Sequence, residues 1–366
     1  MPTRPPAASL PAFVGTYTKD RSSRGIYSTR LDLATGALST PSVAAETSNP
    51  TFLAAHPNGR VLYSLSQLPL PDGKSGGAID AYALDPASGR LTLLNRESSG
   101  GAGLAHLAVD ATGRMLVAVS YHGGYVTAFP LGADGRVGAP TGRIALAGSP
   151  GPNRLRQNQS HAHSVTIAPD NRFALVADLG LDRVFSFRLD PVAARLAPSD
   201  PPSAVLPPGA GPRHAKFSAD GRFFYVLNEI DGSISSCRYD AARGVATPFQ
   251  HISTLPAGFK VTDPDRAAEI RLHPNGRYVY ASNRGHDSIA QFERAADGAL
   301  QLVDFTPCGG KHPRNFNLTP DGTWLVCANM DSDNLVVFPV DPDTGRLASP
   351  RATVAVPAPV CVLFAP

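Results

Sequence analysis

The 366-residue sequence predicts an all-β protein, a seven-bladed β-propeller, and three observations support this prediction. A pattern of strand, tight turn and strand recurs along the chain, with glycine in the turn at positions 59, 113, 221, 276 and 322 and asparagine at 171. The intervals between these positions are 54, 58, 50, 55 and 46 residues, so the period is about 53 and seven units account for the length. The 34 glycines and 35 prolines are spread between short apolar runs, which favours many turns and few helices.

The copy around Gly221 shows the repeated unit most clearly. Polar and apolar side chains alternate within residues 213–217, which is typical of a half-buried strand. Asp220 and Gly221 then supply a turn with positive φ, and residues 223–227 form an apolar, β-favouring run. Two more strand-like segments follow, at residues 233–239 and 245–253. Each unit therefore predicts one blade of four antiparallel strands.

Six copies are complete, and the seventh is divided between the two ends of the chain. Residues 360–366 match the first strand, and the segments that match the other three strands are 13–18, 25–33 and 37–45. Pairing of the C-terminal strand with the N-terminal blade closes the ring and leaves no open sheet edge. We therefore expect one propeller domain over residues 13–366, after a disordered or extended segment over residues 1–12. An array of β-sandwiches is the competing fold, whereas WD40 repeats are disfavoured because their period is shorter and Trp324 is the only tryptophan.

The composition argues against several classes of partner. A formal net charge of +3 without a basic stripe argues against nucleic-acid binding. Prolines occupy the N-terminal segment where a signal peptide needs an apolar run, and no apolar stretch approaches about 20 residues, so we expect a cytoplasmic protein that does not bind membranes. The four cysteines lack CxxC spacing and are predicted to be buried thiols. We expect a monomer or a weak homodimer.

Chemically reactive side chains concentrate at one rim of the predicted ring. In an antiparallel hairpin the start of the first strand and the end of the second lie at the same end, so these segments of all blades meet at one face. The residues gathered there are His106, His122, His161, His163, His214, His286, Arg213, Arg284, Arg314, Glu229 and Glu269. Histidine, arginine and carboxylate side chains suit proton transfer beside an anionic substrate.

Two non-catalytic roles are also compatible with these rim residues. In the first, Arg213 with Glu229 and Arg284 with Glu269 are structural ion pairs between neighbouring segments. In the second, His161 and His163 hold a metal ion, although no further ligands clearly complete a zinc site. The sequence lacks the motifs of a serine hydrolase, a P-loop or a dinucleotide site. We therefore expect no metal and no cofactor.

Five segments of the chain resemble the lactonase family of seven-bladed propellers, which includes bacterial 6-phosphogluconolactonases and fungal carboxy-muconate cycloisomerases. They are Ser160-His161-Ala162-His163-Ser164, Gly211-Pro212-Arg213-His214 with Asn228-Glu229, Ala268-Glu269-Ile270, the run from Ser282 to Ile289, and Pro313-Arg314-Asn315-Phe316. The run Ser-Asn-Arg-Gly-His-Asp-Ser-Ile is the most specific of them, and the likeness spans nearly the whole chain.

The resemblance implies hydrolysis of a small anionic sugar lactone, above all 6-phosphogluconolactone in the pentose phosphate pathway, by metal-free general acid and base catalysis. In the cycloisomerase branch the site uses a histidine, a glutamate and two arginines, which resemble His161 or His163, Glu229, Arg213 and Arg284 here. From the rim residues as a whole we predict His163, Glu229, Arg284 and Glu269 as catalytic residues. The predicted substrate-binding residues are His161, Arg213, His214, His286 and Arg314. A carboxylate or a rim histidine would accept the proton of the attacking water, and His163 or His161 would protonate the leaving alkoxide.

In the same scheme Arg213 and Arg284 stabilise the oxyanion or hold the substrate, and Arg314 with Lys311 binds phosphate. Two alternative functions remain open on the sequence alone. One is a muconate-type cycloisomerase or a lactonase for another sugar-acid or polycarboxylate lactone. The second, from a different class, is a propeller that binds a partner without turnover.

Overall fold

The chain folds as the sequence predicts, into seven four-stranded antiparallel sheets arranged as the blades of a propeller. The structure is a computed structural model that describes residues 9–19, 21–69, 75–260 and 267–365. Within these residues the one helical element is a 3-10 helix, Met330–Ser332. No helix in the described ranges is long and apolar enough to cross a membrane.

The first three blades take up the N-terminal half of the chain. Blade 1 contains β1 (Ser9–Thr16), β2 (Gly25–Asp32) and β3 (Ser42–Glu46). Blade 2 contains β4 (Leu53–Ala55), β5 (Val61–Pro69), β6 (Ser75–Leu84) and β7 (Leu91–Ala102). Blade 3 contains β8 (His106–Val109), β9 (Met115–Ser120), β10 (Tyr125–Pro130) and β11 (Gly142–Ala145).

The other blades follow in order, and the last strand returns to blade 1. Blade 4 contains β12 (Ala162–Ile167), β13 (Phe173–Asp178), β14 (Arg183–Asp190) and β15 (Arg195–Val205). Blade 5 contains β16 (Pro212–Phe217), β17 (Phe223–Asn228), β18 (Ser233–Asp240) and β19 (Val245–Ser253). Blade 6 contains β20 (Ala267–Leu272), β21 (Tyr278–Asn283), β22 (Ser288–Arg294) and β23 (Leu300–Pro307), and blade 7 contains β24 (Pro313–Leu318), β25 (Trp324–Asn329), β26 (Asn334–Pro339) and β27 (Ala352–Ala355). The final strand is β28 (Pro359–Phe364).

The divided blade is confirmed by the pairing of the two chain ends. Strand β28 pairs antiparallel with β1, with Val362 opposite Val14 and Phe364 opposite Ala12. These apolar side chains are buried in one core cluster with residues of blade 7. Strand β1 begins at Ser9, inside the segment 1–12 that is predicted to precede the domain, and residues 1–8 lie outside the described part of the chain.

The recurring turns have the backbone conformation that their residues predict. The glycines at positions 59, 113, 221, 276 and 322 have φ between 67° and 77°, and Asn171 has a φ of 58°. Glycine adopts this left-handed conformation without a steric penalty, and asparagine tolerates it better than most residues. The turns therefore fix the register of the hairpin formed by the first two strands of each blade.

Neighbouring blades are joined by buried tyrosines as well as by apolar packing. The Tyr63 hydroxyl donates a hydrogen bond to the Gly135 carbonyl at 2.9 Å, and the Tyr225 hydroxyl donates to the Gly298 carbonyl at the same distance. Each bond runs from one blade to a turn of the next blade, and each tyrosine side chain is fully buried. The four cysteines are free and buried, as predicted.

Candidate active site

The first strand of each blade lines the axial channel, and equivalent positions of the seven strands form rings around it. The strand register defines three such rings. The top ring is Thr51, Ala105, His163, Arg213, Ala268, Arg314 and Val360. The middle ring is Phe52, His106, Ser164, His214, Glu269, Asn315 and Cys361. The lower ring is Ala54, Ala108, Thr166, Lys216, Arg271, Asn317 and Leu363.

A cavity of about 660 Å³ opens at the top ring, on the rim where the sequence predicts the active site. The register of β12, β16 and β24 shifts at His163, Arg213 and Arg314, so each of these residues sits in a bulge at the start of its strand. A bulge re-aims a side chain, and all three residues line the cavity. The other predicted rim residues that line it are His122, His214, Glu229 and Arg284.

Glu229 is the centre of the charged network in the cavity. Its Oε2 atom lies 2.7 Å from Nε of Arg213 and 3.0 Å from Nη2 of Arg284, and its Oε1 atom accepts a hydrogen bond from Arg156. The carboxylate follows β17, whereas the three arginines lie on β16, after β21 and in the segment between β11 and β12. The network therefore ties blades 4, 5 and 6 together at the top of the channel.

The charges in this network shift one another's proton affinities. Burial acts to raise the pKa of Glu229, but Arg284, Arg213, His163 and Arg156 outweigh burial and hold that pKa well below its usual range. Burial, and then the neighbouring Arg284, lower the pKa of Arg213 to about 9. Glu229 is therefore ionised at neutral pH, and the excess of arginine favours a bound anion.

His163 is the histidine placed to exchange protons with a ligand in the cavity. Its Nε2 atom lies 3.8 Å from Oε2 of Glu229, which is longer than a hydrogen bond, and its Nδ1 atom is buried without a partner. Burial first, and Arg213 second, lower the pKa of His163 well below its ordinary value. His163 is therefore a neutral imidazole at neutral pH, and it can accept a proton.

Glu269 does not line the cavity, although the sequence predicts it as a catalytic residue. Blade 6 has Ala268 at the bulge position that holds Arg213 in blade 5, so Glu269 lies one ring lower, with no exposed surface. Its Oε2 atom is 3.1 Å from Nδ1 of His214 and accepts a hydrogen bond from Asn315. Glu269 thus fixes the middle ring, and the predicted alternative pairing of Arg284 with Glu269 is replaced by the contact of Arg284 with Glu229.

Two predicted substrate-binding histidines also lie outside the cavity lining. The ring nitrogens of His161 are each 2.9 Å from an oxygen, the Tyr121 carbonyl and Oδ1 of Asn158, and its ring stacks on Tyr121. The Nδ1 atom of His286 lies 2.7 Å from the hydroxyl oxygen of Ser288. His161 thus joins the segments of Tyr121 and Asn158. His286 packs against Phe259 and Phe305.

Arg314 is the arginine most available to a ligand. Its Nη2 atom donates a hydrogen bond to the Tyr17 hydroxyl at 2.9 Å, and it makes no ion pair with a carboxylate in the described part of the chain. Its predicted partner in phosphate binding, Lys311, is exposed and does not line the cavity. A substrate anion at this side of the cavity would therefore meet Arg314 without Lys311.

Arg156 and His312 line the cavity although the sequence pattern does not predict them there. Arg156 lies in the segment before β12. The interval between the turns at residues 113 and 171, which contains this segment, is the longest in the repeat at 58 residues. This extra length is the sequence signal that points to the segment. His312 lies 3.2 Å from Asp331, and burial together with nearby arginines lowers its pKa to about 3. Nothing in the repeat pattern marks His312 as a cavity residue. Among the described residues, no group of three or more His, Cys, Asp and Glu side chains is placed to hold a metal ion.

Comparison with known proteins identifies the family. A family model described as lactonase, 7-bladed beta-propeller, matches residues 11–364. The chain belongs to the lactonase family of seven-bladed β-propellers. The predicted assignment to a lactonase enzyme family is thereby confirmed.

Relatives of this lactonase-family chain match it over nearly its whole length. A protein of Bacillus subtilis named 6-phosphogluconolactonase is 38% identical over 354 residues, which cover 96% of this chain and 97% of the relative. A Formosa agariphila protein with the same name is 32% identical and covers 92% of this chain, which spans 94% of that relative. The structure of a periplasmic gluconolactonase of Pseudomonas aeruginosa superposes with a TM-score of 0.91 at 33% identity, covering 98% of this chain and 99% of the other.

Proposed function

We propose that this protein hydrolyses 6-phosphogluconolactone to 6-phosphogluconate in the cavity at the top ring, without a metal ion. The observation that supports this proposal best is the charge of the cavity. Its described lining contains four arginines, Arg156, Arg213, Arg284 and Arg314, and a single carboxylate, Glu229. Such an excess of positive charge suits a substrate that carries a phosphate group and develops an oxyanion during the reaction.

Arg314 is the group that we assign to the phosphate. It is held by Tyr17, its guanidinium faces the cavity, and no described carboxylate neutralises it. A guanidinium binds phosphate oxygens with two parallel hydrogen bonds, so Arg314 would fix one end of the sugar. The lactone ring would then lie towards Glu229 and His163 on the other side of the channel.

In the proposed reaction His163 acts first as a base and then as an acid. A water oxygen attacks the lactone carbonyl carbon while His163 takes one of the water protons, and the carbonyl electron pair moves onto the oxygen. Arg213 and Arg284 stabilise the resulting oxyanion. The carbonyl then re-forms, the bond to the ring oxygen breaks, and the His163 imidazolium returns its proton to that oxygen.

Glu229 has a supporting role in this scheme rather than the role of base. Its two oxygens already accept hydrogen bonds from Arg213 and Arg156, whereas Nδ1 of His163 has no hydrogen-bond partner among the described residues. Glu229 holds those arginines in place and lies 3.8 Å from the nitrogen of His163 that would become positively charged. The base of the mechanism is therefore His163, and neither Glu229 nor Glu269 takes the proton.

The proposal is tested by following acid release from freshly prepared 6-phosphogluconolactone at pH 6.5, where spontaneous opening is slow. His163→Gln should lower kcat by at least about 100-fold, the usual contribution of general acid and base catalysis. His286→Gln is the matched control, because His286 lies on the same rim but outside the cavity, and it should keep wild-type activity. Activity that survives in His163→Gln, or that disappears when a chelator is added to the wild type, would contradict the mechanism.

A second substrate class is favoured by one of the relatives, the periplasmic gluconolactonase, whose name indicates an unphosphorylated lactone. Arg314→Gln distinguishes the two substrates. If the phosphorylated lactone is the substrate, this variant should lose at least tenfold in kcat/KM for it and little for gluconolactone. Equal losses would argue against Arg314 as the phosphate anchor, and a higher wild-type kcat/KM for gluconolactone would favour the unphosphorylated lactone. A wild type that is inactive towards both lactones would leave the muconate-type reaction or a binding role. A phosphate ester does not cross a lipid bilayer unaided, so the proposed substrate also fits the predicted cytoplasmic location.

A further inference from the structure

A second cavity of about 320 Å³ occupies the opposite end of the axial channel, and the lower ring lines it. The polar members of this ring are Thr166, Lys216, Arg271 and Asn317, on four consecutive blades. The members from the other three blades, Ala54, Ala108 and Leu363, are small or apolar. One side of the cavity is therefore cationic and polar, and the other side is apolar.

Three of the four polar side chains repeat the same contact with the next blade. Thr166 donates a hydrogen bond to the Ala215 carbonyl at 3.0 Å, and Asn317 donates one to the Val362 carbonyl at 3.1 Å. Arg271 donates from Nε to the Phe316 carbonyl at 3.2 Å. In each case the acceptor is the residue just before the lower-ring residue of the next blade. These contacts fasten neighbouring inner strands to each other.

Lys216 is the exception to this pattern. By the register of β16 and β20, its partner would be the Ile270 carbonyl, and within the described ranges Lys216 makes neither that hydrogen bond nor any ion pair. Its side chain is half-buried and lines the cavity. A half-buried cation without an acceptor is less well solvated than one in open water, so this position favours an external anion.

The negative charge nearest to these cations is already engaged. Glu269 accepts hydrogen bonds from Asn315 and from its neighbour's backbone N–H at Ile270, and its Oε2 atom lies 3.6 Å from Nη2 of Arg271. Burial, followed by Arg271, lowers the pKa of Lys216 to about 8 despite the opposing effect of Glu269. The cavity thus retains positive charge that its own side chains do not neutralise.

We propose that this lower cavity is a second binding site, separate from the proposed active site, for a small oxyanion such as a short carboxylate or inorganic phosphate. Lys216 and Arg271 would bind the oxyanion. Ala54, Ala108 and Leu363 would contact any short apolar tail attached to it. The middle ring, in which the Phe52 and His106 rings pack with centroids 3.8 Å apart, lies between this site and the upper cavity.

The test must report on Lys216 alone, because the arginines of the upper cavity also attract anions. The native protein is acetylated with an amine-specific reagent at pH 8, and the rate at each lysine is measured by peptide mass spectrometry. Butyrate and inorganic phosphate are the two probes, and chloride at equal ionic strength is the control. At least one probe should slow acetylation of Lys216 fivefold or more, while exposed Lys311 reacts at an unchanged rate.

The two probes separate the possible sources of the oxyanion. Stronger protection by butyrate indicates a carboxylate with an apolar tail, and stronger protection by phosphate indicates a phosphate ligand. The proposal would be overturned if Lys216 is acetylated as fast with both probes as in chloride, or if the probes slow acetylation of Lys311 equally. Arg271→Gln should weaken the protection at least fivefold, whereas Thr166→Val, on the same ring but without charge, should retain it. The wild-type measurement decides the matter even if the Arg271 variant folds poorly.

Discussion

Replacing Glu229 with glutamine tests whether the carboxylate holds the cavity together. The substitution keeps the size of the side chain and removes the only carboxylate among the described residues that line the cavity. Arg213 and Arg284, both buried, would then lose the carboxylate that lies between them. Breaking a buried ion pair by removing one partner costs about 3–5 kcal/mol.

This cost translates into a measurable change in melting temperature. An unfolding entropy of about 2.1 cal/mol/K per residue, over 366 residues, gives about 0.77 kcal/mol/K for the whole chain. A loss of about 3–5 kcal/mol should therefore lower Tm by about 4 to 6.5 °C, measured by calorimetry at pH 7. The matched control is Glu46→Gln, which removes one partner of the exposed pair with Arg24 and should change stability by less than about 1 kcal/mol.

An added anion provides the second half of the test. Phosphate should raise the Tm of Glu229→Gln more than that of the wild type, because the substitution leaves the arginines without this carboxylate.

The pH dependence of stability has a definite sign, since the folded pKa of Glu229 is depressed. The stabilisation by ionised Glu229 is present above the unfolded pKa of about 4.3 and is lost as the pH falls through the folded pKa. The difference in Tm between the wild type and the variant should therefore disappear in acid. A Tm within 2 °C of wild type at pH 7, with no added response to phosphate, would refute this account of the network.

Three further predictions concern the histidines, the closing strand and the phosphate anchor. Burial lowers the pKa of His106, His163 and His214. The stability that depends on their neutral forms is therefore fully present above the unfolded pKa of about 6.5, and it is lost as the pH falls from there towards the folded pKa values. Stability measured in urea should therefore fall below pH 6.5 by up to about 4 kcal/mol per pH unit, and a flat profile from pH 7 to pH 5 would contradict this. Deleting residues 360–366 removes most of β28 and should abolish cooperative folding of the ring, whereas an unchanged unfolding midpoint would show that closure contributes nothing. Tyr17→Phe removes the hydrogen bond to Arg314 and should raise KM for a phosphorylated lactone about fivefold with kcat unchanged, corresponding to about 1 kcal/mol; equal changes for an unphosphorylated lactone would argue against Arg314 as the phosphate anchor.

The fold was predictable because its signals are local and repeated. A turn such as Asp220-Gly221 determines a hairpin by itself, and six copies at a regular interval determine the architecture. The closing strand was predictable for the same reason, since β28 has the pattern of a first strand without its turn. Antiparallel pairing then predicts that the polar strand ends share one rim, and Arg213, Glu229 and Arg284 line the cavity on that rim.

The exact depth of each side chain in the channel was not predictable from the spacing alone. A bulge of one residue decides whether a position belongs to the top or the middle ring, and for this reason Glu269 and Arg213 were placed at the same level. Arg156 was missed because it lies in an insertion, where the repeat gives no register. His161 and His163 are two residues apart, yet only the register of β12 shows which of them faces the cavity.

The rings explain how one channel can hold two chemically different sites. Each ring takes one residue from each blade, so substitutions at different depths change different cavities without altering the β-sheet pairing. The middle ring separates them, because His106, His214 and Phe52 pack against one another and Glu269 is bound by His214 and Asn315. Closure of the ring also bears on the upper site, since Arg314 belongs to blade 7 and its partner Tyr17 to blade 1. The proposed phosphate anchor therefore lies beside the blade that β28 closes. If Arg314 binds the phosphate as proposed, the pairing of the two chain ends would position the substrate as well as stabilise the fold.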